Sequence, residues 1–201
     1  ILRGADLTHA GLTGVDLSGR DLTGTILRGI DLSDKDLTGT ILRGADLTHA
    51  GLTGVDLSDK DLTGTILTGT NLTGAVLPND YLSGKNFHGT IFNEVDLSGK
   101  DLSGSHFISA SFKNTNLKNA DLTDARLVEV DLTKLKSLVG ANLSKAVISY
   151  SNLSGNDLDG ATLGWNNMQH TNLSGLDFTV TTKKFMEAGL FIGSDLSNAN
   201  L

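Results

Sequence analysis

The chain has 201 residues, a net charge of −7, 24 glycines, one proline and no cysteine. Without cysteine it has no disulfide, no thiolate metal site and no cysteine nucleophile, and a reducing cytosol suits it. No apolar run approaches the ~18 residues of a membrane span, and an acidic balance with 5% aromatics argues against direct nucleic-acid binding.

From Leu2 onward every fifth residue is Leu or a close substitute. The beat runs in one phase through Leu7, Leu12, Leu17 and Leu22 to Leu132, with Phe87, Phe92, Phe107 and Phe112 filling in. A second run goes from Leu138 to Phe178, and a third takes in Phe191, Leu196 and Leu201. A period of five matches neither the helix repeat of 3.6 nor the strand repeat of 2. It fits a chain that turns a corner every five residues and coils into a square solenoid. Around each central residue i, position i−2 is often small or β-branched (Ala5, Val15, Thr25), and i−1 is usually Asp or Asn. Side chains alternate along an extended segment, so i and i−2 face inward and i−1 faces out. The Gly at i+2, as in Gly14 and Gly24, lets the backbone turn with positive φ.

Units such as Ala5–His9 (ADLTH), Val15–Gly19 (VDLSG) and Ala141–Lys145 (ANLSK) resemble the pentapeptide-repeat family, whose motif is A(D/N)LXX, over nearly the whole chain. The resemblance implies an all-β protein, a right-handed quadrilateral parallel β-helix with four pentapeptides per coil. Residues 1–201 would then form a single domain of about ten coils, a rod on the order of 45–50 Å long. Ile1 and Leu201 fall mid-repeat, which suggests a piece of something longer, and the family implies end-to-end homodimers through C-terminal coils as a possible solution for an open end.

Taken in chain order, residues 1–27 recur forty residues on as 41–67, with only Gly19-Arg20 replaced by Asp59-Lys60. Such a copy looks like recent lengthening and tells against a finely shaped active site there. Charges occupy i−2 at Arg20, Lys35, Lys60, Asp80, Lys85, Lys100 and Lys136. A buried unpaired ammonium costs several kcal/mol, so either these stems snorkel past the corner, or Lys60, Asp80 and Lys100 pair in adjacent coils. The six-residue step from Leu132 to Leu138 predicts a one-residue bulge near Leu135. Residues 179–188 break the beat and are expected to leave the solenoid as a loop or short helix, with Phe185 or Met186 docked back on the rod.

Two sets of residues are candidates for recognition. Lys183, Lys184, Phe185 and Met186 in the insertion, together with the outward Tyr150 and Trp165, form a candidate protein-binding region, and Tyr150 and His170 fall at one corner a coil apart. The outward carboxylates form a candidate acidic face: Asp16, Asp36, Asp56 and Asp96 on one wall, Asp21, Asp61, Asp101 and Asp121 on its neighbour. Some members of the resembled family inhibit type II topoisomerases by imitating DNA. Duplex DNA carries one charge per ~1.7 Å, however, whereas −7 spread along this rod is roughly one per 7 Å.

No catalytic, metal or cofactor-binding constellation is present in the sequence. His9 and His49 lie two coils apart, about 10 Å, too far to share a zinc ion. Gly84-Lys85 and Gly99-Lys100 lack the rest of a phosphate loop, and neither GxSxG nor HExxH occurs. The expected function is therefore a non-enzymatic protein–protein interaction scaffold whose partner is another protein. It could be part of a larger bacterial protein or a secreted effector, acting in the bacterial cytoplasm or delivered into a host cell. The alternative is a DNA-mimicking inhibitor of a type II topoisomerase such as DNA gyrase.

Overall fold

The computed structural model describes residues 2–182 and 189–201. Outward residues form parallel bridges one coil apart, as in Asp6 to Ile26, Ile26 to Asp46 and Asp46 to Ile66. The step is twenty residues, so four pentapeptides close one coil of a right-handed quadrilateral parallel β-helix. We number the walls in chain order from Leu2: the first carries Leu2 and Leu22, the second Leu7 and Leu27, the third Leu12 and Leu32, the fourth Leu17 and Leu37.

Each corner is a tight turn. The N–H of Ala5 bonds to the Leu2 carbonyl at 2.9 Å and that of Thr25 to Leu22 at 3.0 Å. Gly4 and Gly24 carry the positive φ, at 66° and 65°. A left-handed residue only at the third turn position defines a type II turn, which favours Gly there. Between corners each wall is bonded to the next coil on both sides of the outward residue, as in Leu22 N–H to Ile41 and Ile41 N–H to Arg20, which flank Asp21. The central Leu and Phe side chains are buried from Leu17 to Phe178. Phe87 stacks on Phe107 on the second wall (centroids 5.2 Å, 13°) and Phe92 on Phe112 on the third (5.6 Å, 11°). Phe87 and Phe92 meet edge to face across the corner at 5.0 Å.

The i−2 row follows a second rule that composition does not reveal. Where it carries a hydroxyl, the side chain donates to the carbonyl of the central residue of the preceding wall, one coil earlier. Thr40 bonds to Leu17 at 2.8 Å, Thr90 to Leu67 at 2.7 Å and Thr115 to Phe92 at 2.7 Å. Lysine does the same at longer reach: Lys35 Nζ bonds to the Leu12 carbonyl at 2.8 Å, Lys85 to Leu62 at 2.7 Å and Lys100 to Leu77 at 3.0 Å. Burial lowers the pKa of Lys85 and Lys100, while Asp61 and Asp96 respectively oppose that shift. The Lys60–Asp80–Lys100 chain of ion pairs does not form. Lys60 pairs instead with Asp59 at 2.7 Å, Lys100 turns to backbone carbonyls, and Asp80 and Arg20 are exposed.

The bulge sits one residue past Leu135. Leu135 packs on the core in the inward place, Lys136 is the extra, exposed residue, and bridging resumes at Asn116 to Ser137. Lys136 is therefore no inward charge. The predicted insertion is also narrower than 179–188. Val180 accepts from Gly160 at 3.1 Å and Thr182 donates to Ala161 at 2.9 Å, so the coil continues through Thr182. Pairing resumes at Asn167 to Leu190, a step of 23 against the usual twenty, a net gain of three residues. Counting five from Phe178 reaches Lys183, whose side chain could not mark a central position. The docking of Phe185 or Met186 lies outside the described residues. Among the described residues no helix is long and apolar enough to cross a membrane.

Candidate functional site

The corner between the second and third walls carries His9, Gly29, His49, Gly69, Gly89, Ser109, Glu129, Tyr150, His170 and Gly193, aligned by bonds such as Tyr150 N–H to Gln169 and His170 N–H to Ile192. Where this corner holds a ring, the ring leans onto the following coil. A Cβ placed on Gly29 would lie 2.8 Å from the His9 ring, one on Gly69 2.2 Å from His49 Nδ1, and one on Gly193 2.5 Å from His170 Nδ1. A side chain in place of the glycine beneath would have to displace each of these rings. Gly69→Ala is expected to cost ~1–3 kcal/mol from its φ of 66° and the displaced ring. Part of that cost should vanish in Gly69→Ala with His49→Ala, measured as a double-mutant cycle in urea. Strict additivity would show that the ring moves aside freely.

At Tyr150 the rule changes: the residue beneath is His170, and the two rings stack with centroids at 4.8 Å and planes 16° apart. Both lie in the left-handed region, with φ of 58° and 54°. Trp165, at the corner between the first and second walls, has φ of 57°. Bulky side chains are uncommon there, because Cβ crowds the backbone. Trp165 and His170 flank the same second-wall segment, Asn166–Gln169, and the next coil presents Leu190 and Ile192 on that wall. Tyr150, Trp165 and Ile192 are 62%, 68% and 65% exposed and Leu190 49%, so the most exposed large apolar side chains of the regular coils gather near this end, while Ile41, Ile66, Val76 and Tyr81 are spread along the rest of the rod. Leu190 and Ile192 were not among the sequence candidates, and only the net count of three through the insertion places them beside Trp165. Lys183, Lys184, Phe185 and Met186 lie outside the described residues.

On its other side the Tyr150–His170 ridge borders a shallow groove on the third wall of about 460 Å³, shared with Glu129, Asp131, Asn152 and Asn172. Its floor is the buried pair Val130 and Ser151.

The acidic columns have a local occupation. Asp16, Asp36, Asp56 and Asp96 lie on the fourth wall, and Asp21, Asp61, Asp101 and Asp121 on the first. In each, Oδ1 accepts the N–H two residues on, at 2.9 Å in Asp16 and Asp56 and 2.8 Å in Asp36 and Asp61. These bonds preset the turn. The fourth-wall column is broken by Val76, Asn116 and Ser137, and Lys35 and Lys60 border a groove beside Asp36 and Asp56. The hydroxyl and then the N–H of the following Ser or Thr hold Asp6, Asp16, Asp21, Asp31, Asp36 and Asp61 below the usual carboxylate range. A folded pKa below the unfolded one gives stabilisation that is present above the unfolded value and lost as pH falls through the folded value. The urea midpoint is thus expected to stay level down to about pH 5 and to fall below about pH 4. A midpoint that rises on acidification would refute this.

A family model for pentapeptide repeats (8 copies) matches residues 1–29, 21–59, 81–107, 101–134 and 137–175. The chain belongs to the pentapeptide-repeat family. Solved structures similar to this pentapeptide-repeat chain include HetL from the cyanobacterium Nostoc sp., described as involved in heterocyst differentiation regulation. It is 28% identical with a TM-score of 0.46, over 100% of this chain and 84% of that one. QnrB1, a plasmid-mediated fluoroquinolone resistance protein, is 21% identical with a TM-score of 0.41, over 87% and 80% of the two chains. Rfr23 from the cyanobacterium Cyanothece is 19% identical with a TM-score of 0.29, over 90% of each. No curated protein matches the chain.

Proposed function

We propose that this pentapeptide-repeat protein is a non-enzymatic interaction scaffold that binds another protein through the C-terminal end of its second wall and the adjoining corners. The observation that carries the reading is Tyr150 and Trp165: bulky rings held at corners that favour glycine, yet 62% and 68% exposed. Backbone strain that buys no burial is the kind retained for contact with something else. The rigid coils beneath hold the surface in place without ordering cost on binding.

The test exploits the same strain. Tyr150→Gly and Trp165→Gly relax the two corners, so the double variant should melt no lower than the parent. It should nevertheless lose at least tenfold in affinity for a partner recovered with the parent protein. Unchanged affinity would refute the assignment. The topoisomerase reading draws on Asp16, Asp36 and Asp56 in three successive coils. It is weakened by the interruptions beyond them, and added protein failing to alter gyrase supercoiling would end it.

A further inference from the structure

We propose that the groove beside Tyr150 receives an arginine side chain of the partner protein, its guanidinium lying on the open face of the Tyr150 ring between the carboxylates of Glu129 and Asp131. The proposal rests on reading this end of the rod as an interaction surface, and it names what that surface recognises.

The ring has two faces in different surroundings. His170 covers the face toward the C-terminal coil, at 4.8 Å and nearly parallel. The other face is turned toward the preceding coil, where the same corner holds Glu129. Tyr150 and Glu129 border one groove with Asp131. The ring is mostly exposed although His170 covers one face, so its N-terminal face is open where it borders the groove with Glu129. A planar group inserted there would continue the stack that His170 begins.

The slot is lined for a cation. Glu129 and Asp131 are both exposed and lie in the same coil, two residues apart around the corner. Asp131 uses Oδ1 for the N–H and hydroxyl of Thr133, at 2.9 and 2.7 Å, and has Oδ2 to spare. Glu129 accepts from Ser109 through Oε2 at 3.1 Å, which leaves Oε1. Lys134 is the nearby cation that acts on Asp131, but it is itself exposed and leaves the ring face uncovered. An anion would meet two carboxylates, and a neutral ring would bury them without compensation. An ammonium satisfies the charges but stacks poorly. A guanidinium is planar, forks toward carboxylate oxygens and lies well on an aromatic face, so it meets every demand of the slot.

The probe is N-acetyl-arginine amide, titrated into the whole chain and followed by NMR. The ring signals of Tyr150 and His170 and the side-chain amide of Asn152 should shift together and saturate in the millimolar range, as expected of a single side chain. The lysine analogue should bind at least fivefold more weakly. Tyr150→Gly should remove the arginine response, and Glu129→Gln with Asp131→Asn should weaken it at least tenfold. No saturable shift, equal binding of the lysine analogue, or shifts as large beside Asp16, Asp36 and Asp56 would overturn the assignment. If Tyr150→Gly abolishes partner binding while arginine amide leaves the groove signals unmoved, the interaction surface stands and the arginine does not. If arginine amide binds as described while Tyr150→Gly leaves partner affinity unchanged, the groove is no partner site and both readings fall.

Discussion

Replacing Leu57 by Asp is expected to cost more than ~4 kcal/mol and to open the coils on either side of it. Leu57 is wholly buried on the fourth wall, in line with Leu37 and Leu77. The substitution removes a side chain whose burial is worth ~1.5–3 kcal/mol and puts a carboxylate among aliphatic groups. The neighbouring outward Asp56 offers no compensation, since it is itself a carboxylate with no proton to donate. In a solenoid each coil is held chiefly by its neighbours, so the damage should spread coil by coil from the site. Thermal melting by circular dichroism, with limited proteolysis to map the first cuts, is the measurement. Cuts clustering within a coil or two of Leu57 at a lowered melting temperature are the expected pattern. A melt close to the parent's would mean that the side chain does not face inward.

Phe107→Ala should follow at ~3–5 kcal/mol, and its effect should be felt on two walls at once. Phe107 stacks on Phe87 within the second wall and meets Phe92 and Phe112 across the corner at 5.8 and 5.4 Å. Truncation leaves a void bounded by three rings that the bonded coils prevent from collapsing, the condition under which a cavity costs most. Leu122→Ala, on the first wall and away from the rings, should cost less, ~2–3 kcal/mol. Urea denaturation of the two variants gives the comparison, and a Phe107→Ala loss no larger than that of Leu122→Ala would show the ring cluster to be ordinary packing.

What could be read without coordinates was whatever depends on position along the repeat. Leu57 inward, Asp56 outward and Gly54 at the corner follow from a beat of five and the alternation of a short strand. So does the placing of Tyr150 and His170 on one corner, which needs only counting in coils. The roles of the inward lysines were hidden because their partners are backbone carbonyls of another coil, which carry no residue signature. The sequence offers Lys100 either solvent past the corner or Asp80, and what it meets is the Leu77 carbonyl. The extent of the insertion was misread because the beat is marked only by apolar side chains, and from Thr179 to Thr182 the coil runs on with none at a central place. Leu190 and Ile192 were overlooked for the same reason: their wall cannot be assigned until the net gain of three is known.

The histidine that leans onto a glycine one coil below gives the rod a grain. In the duplicated region, His9, Gly29, His49 and Gly69 make large and small corners alternate, so the effect of removing a single coil depends on which corner goes with it. Excising residues 21–40 would bring His49 directly beneath His9 and force the His9 ring off its present place, whereas excising 41–60 would set Gly29 over Gly69 with no ring to displace. Excising forty residues would restore the original neighbours. Copying in pairs of coils repeats every such neighbour unchanged, in increments of about 10 Å, and a partner that spans this stretch would meet a surface whose landmarks recur at that spacing.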